Sequence, residues 1–262
     1  MATRRLQNAR ILVTGASAGI GREIALQLAA KKALLLLTAR RADRLEELAT
    51  EIESDHGVAP LWIAGDITDP NHRSALLETC QSKLGGLDAL INNAGIGAIG
   101  RFDKASQDRL RQVMEVNFFA PVELTRAALP LLREGQRPII VNVSSVLGHR
   151  AVPKKSEYCA SKFALHGFSD ALRAELSETG IDVLLVSPST TKTEFFDNVI
   201  ENEDQLPWLA LGGQNPRSVA KAAVSAMGWG RHEIILTAGG KLLVWLDRLC
   251  PPFINRLVAW FG

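Results

Sequence analysis

Arg10-Ile11-Leu12-Val13-Thr14-Gly15-Ala16-Ser17-Ala18-Gly19-Ile20-Gly21 joins a short apolar run to a glycine-rich turn. The run reads as a buried strand over Arg10–Thr14. Helical spacing begins at Gly19 and extends to about Lys32. Glycines let the backbone turn tightly and approach a pyrophosphate. The helix N-terminus behind them offers unpaired N–H groups and the positive end of a dipole. The spacing is G-x-x-x-G-x-G, distinct from the G-x-G-x-x-G of the common dinucleotide fingerprint. Strand, glycine turn and helix together predict a phosphate-binding loop.

Working outward, the same alternation recurs. Ala33–Thr38 is apolar throughout, as a strand covered on both faces should be. A helix follows over Arg41–Asp55, then a strand over Pro60–Gly65. Asp69 and Pro70 suit the N-cap and first position of a helix running to Leu84. Ala89–Asn92 is a fourth strand, Ser106–Arg133 a long helix and Pro138–Ser144 a fifth strand. Ser156–Glu178 is a helix, Ile181–Ser187 a sixth strand, Asn215-Pro216 a helix start and Glu233–Leu236 a seventh strand. Strands alternating with helices predict an α/β fold, a parallel sheet of about seven strands with helices on both faces. The stretch from Thr193 to Asn215 lacks a pattern and reads as a functional lid over about 194–215. It carries Phe195, Phe196, Trp208 and Leu209, which suggest an apolar ligand.

Two further features carry chemistry. The second strand ends Thr38-Ala39-Arg40-Arg41, where a dinucleotide fold usually places an acid for the ribose hydroxyls. A guanidinium there pairs with a 2′-phosphate that a carboxylate would repel. Arg40, helped by Arg41, therefore predicts NADP(H) over NAD(H). The chain's only tyrosine, Tyr158, lies four residues before Lys162. Four residues is about one helical turn, so phenol and ammonium share a face. A nearby cation favours the phenolate, which predicts a lowered pKa and a general acid/base.

With the glycine loop and the Tyr/Lys pair in one chain, the sequence resembles the classical short-chain dehydrogenase/reductase family from about Ala9 to Leu236. The family's T-G-x-x-x-G-I-G is Thr14–Gly21, which places Gly15, Ser17, Gly19, Ile20 and Gly21 against the cofactor. Its adenine-contacting aspartate matches Asp66, with Ile67 beside it. Its N-N-A-G is Asn92-Asn93-Ala94-Gly95, so Asn93, Ala94 and Gly95 line the cofactor. Its helix asparagine matches Asn117, and its serine thirteen positions before the tyrosine matches Ser145. Thr191 and Thr193 fall where the family contacts the nicotinamide carboxamide. One departure is visible: the family's P-G-x-x-x-T reads Pro188-Ser189-Thr190-Thr191-Lys192-Thr193, so a serine stands where a glycine is usual.

The resemblance implies a Rossmann-like doubly wound fold and hydride transfer between a nicotinamide and a carbonyl carbon. It implies Tyr158 as proton donor and Lys162 as the cation that lowers its pKa and reaches the ribose. It also implies Ser145 as a hydrogen-bond donor to the carbonyl oxygen, and Asn117 as holder of a water that relays protons toward Lys162. The expected activity is a carbonyl reductase or alcohol dehydrogenase acting on a small, apolar substrate. A 3-oxoacyl-thioester reductase is the alternative within the class, and a non-catalytic NADP(H)-binding sensor the alternative outside it. Family members pair through the two long helices, so a homodimer or homotetramer is expected.

Composition narrows the partners. A net charge of +2 without a basic block argues against nucleic acid. Three scattered cysteines and no ligand-spaced histidines argue for a reducing compartment and against zinc or disulfides. No run reaches the roughly 18 apolar residues of a membrane span, and a cytoplasmic location is expected. The last residues, 240–262, form a tail set apart from the body at 1–239. Leu242, Trp245, Leu246, Leu249 and Cys250 share one helical stripe, and Phe253, Ile254, Leu257, Val258 and Phe261 share another. Two amphipathic helices split by Pro251-Pro252 are predicted. Three uses remain open: packing on the body or a partner subunit, peripheral contact with a membrane surface, or shaping an apolar substrate entrance.

Overall fold

The computed structural model describes residues 3–195, 199–200 and 213–260. Seven strands form one parallel sheet in the order β3-β2-β1-β4-β5-β6-β7. They are β1 (Arg10–Thr14), β2 (Leu34–Ala39), β3 (Leu61–Ala64), β4 (Ala89–Asn92), β5 (Ile139–Val143), β6 (Asp182–Ser187) and β7 (Glu233–Ile235). The order reverses between β1 and β4, which opens a crevice at the carboxyl ends of those two strands.

Alternation along each strand divides the core in two. Ile11 and Val13 of β1, Leu35 and Leu37 of β2, and Val141 of β5 face one side. They pack with α1 (Gly19–Ala29), α2 (Ala42–His56) and α7 (Pro216–Gly228). Leu12, Leu36 and Ile140 face the other side. They pack with α3 (Pro70–Thr79), α5 (Ala120–Arg133) and α6 (Ser156–Glu175). Both faces are buried, which is why these strands are apolar runs rather than alternating ones.

Helix ends follow their capping chemistry. Asp69 accepts from the Asn71 N–H ahead of Pro70, and Asn215 accepts from Arg217 ahead of Pro216. Gly57 closes α2 in the left-handed conformation. The predicted helix over Ser106–Arg133 is not uniform. It comprises α4 (Gln107–Met114), a π turn over Glu115–Phe119 and α5. The extra residue of the π turn displaces one side chain from the helical rows, a device common at functional sites. The displaced segment carries Asn117. The helix predicted to end at Leu84 likewise finishes in a π turn, Cys80–Leu84.

The tail forms α8 (Ala238–Leu249) and α9 (Pro251–Trp260). The proline pair opens α9 rather than merely separating the helices. The apolar stripe of α8 points largely outward: Trp245 is 60% and Leu249 76% exposed. Two contacts set this rotation. Gly240 packs so closely that a Cβ would stand 2.9 Å from Val146 Cγ1. Asp247 is drawn inward by Arg150 at 2.7 Å. Val244 and Ile254 supply the buried contacts instead. Phe261 of the second stripe, and Phe196, Trp208 and Leu209 of the lid, lie outside the described residues.

Candidate active site

The crevice at the switch point opens into a cleft of ≈1060 Å³. One end lies over the glycine turn, and the other reaches α6 and the tail. Gly15 (φ +65°) and Gly19 (φ +56°) hold left-handed conformations that favour glycine. A Cβ on Gly15 would meet Ala94 Cα at 2.8 Å, and one on Gly21 would meet Asn93 Nδ2 and the Gly15 carbonyl. These glycines therefore serve both a turn and a close approach of two backbones.

Thr14 is the hub of that approach, a role the motif alone does not reveal. Its Oγ1 accepts from the N–H groups of Asn93 and Ala94 at 3.0 Å each. It donates to the Ile91 carbonyl at 3.2 Å. Asn93 Nδ2 returns bonds to the carbonyls of Thr14 and Gly15 at 3.0 and 3.1 Å. Behind them runs a buried polar chain. Asn92 Nδ2 donates to Thr125 and Asn142, and Asn142 donates to Ser169 on α6. This chain ties β4, β5, α5 and α6 together beneath the cleft.

Near the glycine turn, Arg40, Arg41, Asp66 and Ile67 line the wall. Burial raises the Asp66 carboxyl's pKa. Hydrogen bonds from the Thr68 N–H and hydroxyl, and the nearby Arg40 charge, outweigh it and hold the group below the usual carboxylate range. Arg41 pairs with Glu194 at 2.8 Å and reaches Ser17 Oγ at 3.3 Å. It thus straps the glycine turn to the segment after Thr193.

At the far end, Ser145, Tyr158 and Lys162 converge. Tyr158 and Lys162 share a face of α6, and Ser145 follows β5. Ser145 hydrogen-bonds the Tyr158 phenol and accepts from the Leu147 N–H at 3.1 Å. Lys162 Nζ donates to the Val143 carbonyl at 3.1 Å and lies 5.7 Å from the Tyr158 ring centre. The pKa expectation is corrected here. Burial pushes the phenol above its ordinary value, and the Ser145 hydrogen bond only partly opposes this. Burial also pushes Lys162 down to about 8. In this state desolvation outweighs attraction, because the ammonium is turned to a backbone carbonyl and not to the phenol oxygen.

Asn117 and Gly21 are the predicted site residues that do not line the cleft. Both hydrogens of the Asn117 carboxamide are engaged, with the Ile96 carbonyl at 2.9 Å and Ser161 Oγ at 3.0 Å. Its Oδ1 accepts from the Ile96 N–H at 2.8 Å. It braces the turn after Gly95. Gly95, Thr191 and Thr193 line the cleft. Ser189 does so without a left-handed backbone, so the missing glycine costs no strain there.

Residues that the motifs did not signal also line the cleft. Arg111, Gln112, Glu115 and Lys155 supply polar wall, and Leu243, Leu257 and Val258 of the tail supply apolar wall. Phe195 stands edge-on to Tyr158, with ring centres 5.7 Å apart.

A family model described as short chain dehydrogenase matches residues 9–204. "Dehydrogenase/reductase SDR family member 7B" of Mus musculus is 35% identical over 262 residues, covering 97% of this chain and 81% of that protein. "Ketoacyl reductase HetN" of Nostoc sp. is 33% identical over 258 residues, covering 96% and 88%. A short chain dehydrogenase/reductase from Burkholderia phymatum, solved with NAD, superposes with a TM-score of 0.87 at 23% identity, covering 95% and 96%. A short chain dehydrogenase from Burkholderia cenocepacia, solved with NADP, gives 0.77 at 31%, covering 86% and 92%. Glycine turn, seven-stranded sheet and end-to-end relatives agree: the chain belongs to the short-chain dehydrogenase/reductase family of oxidoreductases.

Proposed function

We propose that this protein is an NADP(H)-dependent oxidoreductase that interconverts a ketone or aldehyde and an alcohol, with Tyr158 as general acid/base. The observation that carries the proposal is one cleft with Ser145, Tyr158 and Lys162 at one end and the glycine turn with Arg40 at the other. The residues fit a dinucleotide: the turn presents backbone where a Cβ would intrude, and the Burkholderia neighbours were solved with NAD or NADP. When bound, the nicotinamide supplies or accepts the hydride.

This chain's residues handle the rest. Ser145 Oγ and the Tyr158 phenol both present hydrogens to one carbonyl oxygen. Tyr158 delivers its proton in reduction and recovers it in oxidation. Burial keeps the enclosed phenol protonated until a carbonyl oxygen needs its hydrogen. Lys162, turning from Val143, binds the ribose hydroxyls and eases loss of the phenolic proton by its charge. Asn117 is a positioning residue that fixes the turn beside them. Arg40 pairs with a 2′-phosphate, while Arg41 is partly committed to Glu194.

The apolar wall given by Leu243, Leu257, Val258 and Phe195 favours an apolar substrate. The likeness to a protein named ketoacyl reductase supports a 3-oxoacyl thioester as the second reading. The intact Ser145, Tyr158 and Lys162 set weighs against a cofactor sensor without turnover. Exposed Leu110, Phe119 and Phe163 support pairing of protomers through α4, the π turn that follows it and α6. The outward stripe of α8 suits a partner subunit or a peripheral membrane contact. Among the described residues no helix is long and apolar enough to cross a membrane.

Tyr158→Phe tests the central claim. NADPH oxidation against a panel of aldehydes, ketones and acetoacetyl thioesters is expected to stop, while NADPH still binds. Turnover near the wild-type rate in this variant overturns the assignment.

A further inference from the structure

One polar cluster outside the cleft is not explained by the oxidoreductase chemistry. His149, His166 and Glu233 each present one ligand atom, and these atoms lie within 4.8 Å of one another. His149 Nε2 is 3.1 Å and His166 Nε2 3.9 Å from Glu233 Oε1. Asp170 Oδ2 is 3.5 Å from His166 Nε2. None of the four residues lines the large cleft. We propose that His149, His166 and Glu233 form a site for one divalent transition-metal ion of the zinc type, with Asp170 as an available fourth ligand.

The chemistry of the donors selects the ion. Two imidazoles and a carboxylate suit Zn²⁺, Co²⁺, Ni²⁺ or Cu²⁺, whereas Mg²⁺ and Ca²⁺ prefer all-oxygen sets. Zinc holds nitrogen and oxygen ligands at about 2.0–2.2 Å, which places tetrahedral neighbours roughly 3.3 Å apart. The Glu233 separations of 3.1 and 3.9 Å bracket that value, and the cluster as a whole spans up to 4.8 Å, so side-chain rotations must draw the ligand atoms together to close the site. Glu233 is only partly enclosed and free to make them.

The outer contacts set the affinity. His166 Nδ1 faces the Gly148 carbonyl at 3.4 Å, which holds its proton there and leaves Nε2 as the lone-pair donor. His149 is buried and its Nε2 also touches Ser187 Oγ at 3.0 Å. Its Nδ1 is buried without a partner. Metal on Nε2 puts a proton on that unpartnered nitrogen, so the site binds less tightly than one with a complete outer layer. Arg173, which holds Asp170 Oδ1 at 2.7 Å, also competes for the fourth ligand. Both effects weaken binding relative to a site with a complete outer layer.

Placement suggests a clamp rather than a second reaction centre. His149 lies four residues after Ser145, and His166 four residues after Lys162. Glu233 opens β7, and Ser187 ends β6. A bound ion would join the loop after β5, helix α6 and β7 one layer behind the catalytic groups.

The test uses the untagged full-length protein, stripped with chelator and titrated with ZnCl₂ by calorimetry and with CoCl₂ by visible absorption. One equivalent of Zn²⁺ is expected to bind with micromolar affinity, with cobalt d–d bands of a nitrogen/oxygen site. At a hundredfold excess over the dissociation constant the unfolding midpoint should rise by about 5 °C or more. His166→Gln and Glu233→Gln, each partly exposed and conservative, should weaken binding at least tenfold, and His56→Ala should not. Variants that bind as wild type does, or a wild type that takes up no zinc below millimolar concentration, overturn the proposal.

Discussion

Replacing Arg109 by Met should unhinge α6 from α4 beside Tyr158. Arg109 and Glu157 are 1% and 2% exposed, and the guanidinium gives Glu157 Oε1 two hydrogen bonds at 3.0 and 2.7 Å. Methionine retains the apolar stem and removes the charge. Glu157 then keeps the Ser156 hydroxyl at 2.8 Å, which cannot offset a buried negative charge. Breaking such a pair from one side costs about 3–5 kcal/mol. For a chain of this size that is a fall of roughly 6–20 °C in the unfolding midpoint. Removing both charges, as in Arg109→Met with Glu157→Leu, should recover most of the loss, because no buried ion remains.

The pH dependence has a definite sign. In the wild type, burial raises the Glu157 carboxyl, but hydrogen bonds from Ser156 and Arg109 outweigh it and the net shift is downward. A depressed carboxylate contributes stability above its unfolded pKa of about 4.3, and that stability is lost as pH falls through the folded value. Without Arg109 the same carboxyl shifts upward, and the variant gains by protonating it. The gap between wild type and variant should therefore be widest near neutral pH and close as pH falls toward 4. Denaturant unfolding of the wild type, both single variants and the double variant at several pH values measures this. Glu157 precedes Tyr158, so kcat of the folded single variant should also drop by about 10- to 100-fold. A single variant within 1 kcal/mol of wild type at pH 7, or a double variant no better than the single, refutes the reasoning.

Three further outcomes are expected. Lys162→Met should raise the unfolding midpoint of the cofactor-free protein at pH 7 while abolishing turnover. Its folded pKa of about 8 lies below the unfolded value, so wild-type stability recovers as pH rises and the advantage should shrink above pH 8; an advantage constant with pH contradicts this. Arg40→Asp should raise the KM for NADPH about 10- to 100-fold and lower that for NADH, the loss of one charge-assisted pair being about 1.5–3 kcal/mol. Unchanged cofactor preference in steady-state assays assigns the 2′-phosphate to another residue. Thr14→Val should cost about 1–3 kcal/mol in chemical denaturation by leaving the Ala94 N–H unpaired. It should also weaken NADPH binding, and an intact affinity would detach the hub from the cofactor.

Local patterns made much of the molecule legible. Apolar runs marked strands because the sheet is covered on both faces, and Asp69-Pro70 and Asn215-Pro216 marked helix starts through capping. The glycine turn, the N-N-A-G run and the Tyr158/Lys162 spacing are also local, so their residues could be named before any fold was seen. Gly21 and Asn117 show the limit of that reading. Both belong to motifs, yet each acts from behind the cleft wall on a neighbouring backbone. The apolar stripe of α8 shows another: periodicity reports that a helix has a face, and the close approach of Gly240 and the Arg150 pair decide where it points.

The order of residues along the chain thus dictated the α/β alternation, the glycine turn and the shared helical face of Tyr158 and Lys162, since each depends on groups within a few residues of one another. Folding settled what depends on distant segments meeting. It joined Thr14 to Asn93, and Arg109 to Glu157, and it brought the tail to the cleft. It also gathered His149, His166 and Glu233 into one cluster that no spacing announces. The protonation of the Tyr158/Lys162 pair belongs to the same category: helical periodicity puts the two groups on one face, but enclosure and the Val143 carbonyl set their pKa values, because desolvation is a property of the surroundings and not of the sequence interval.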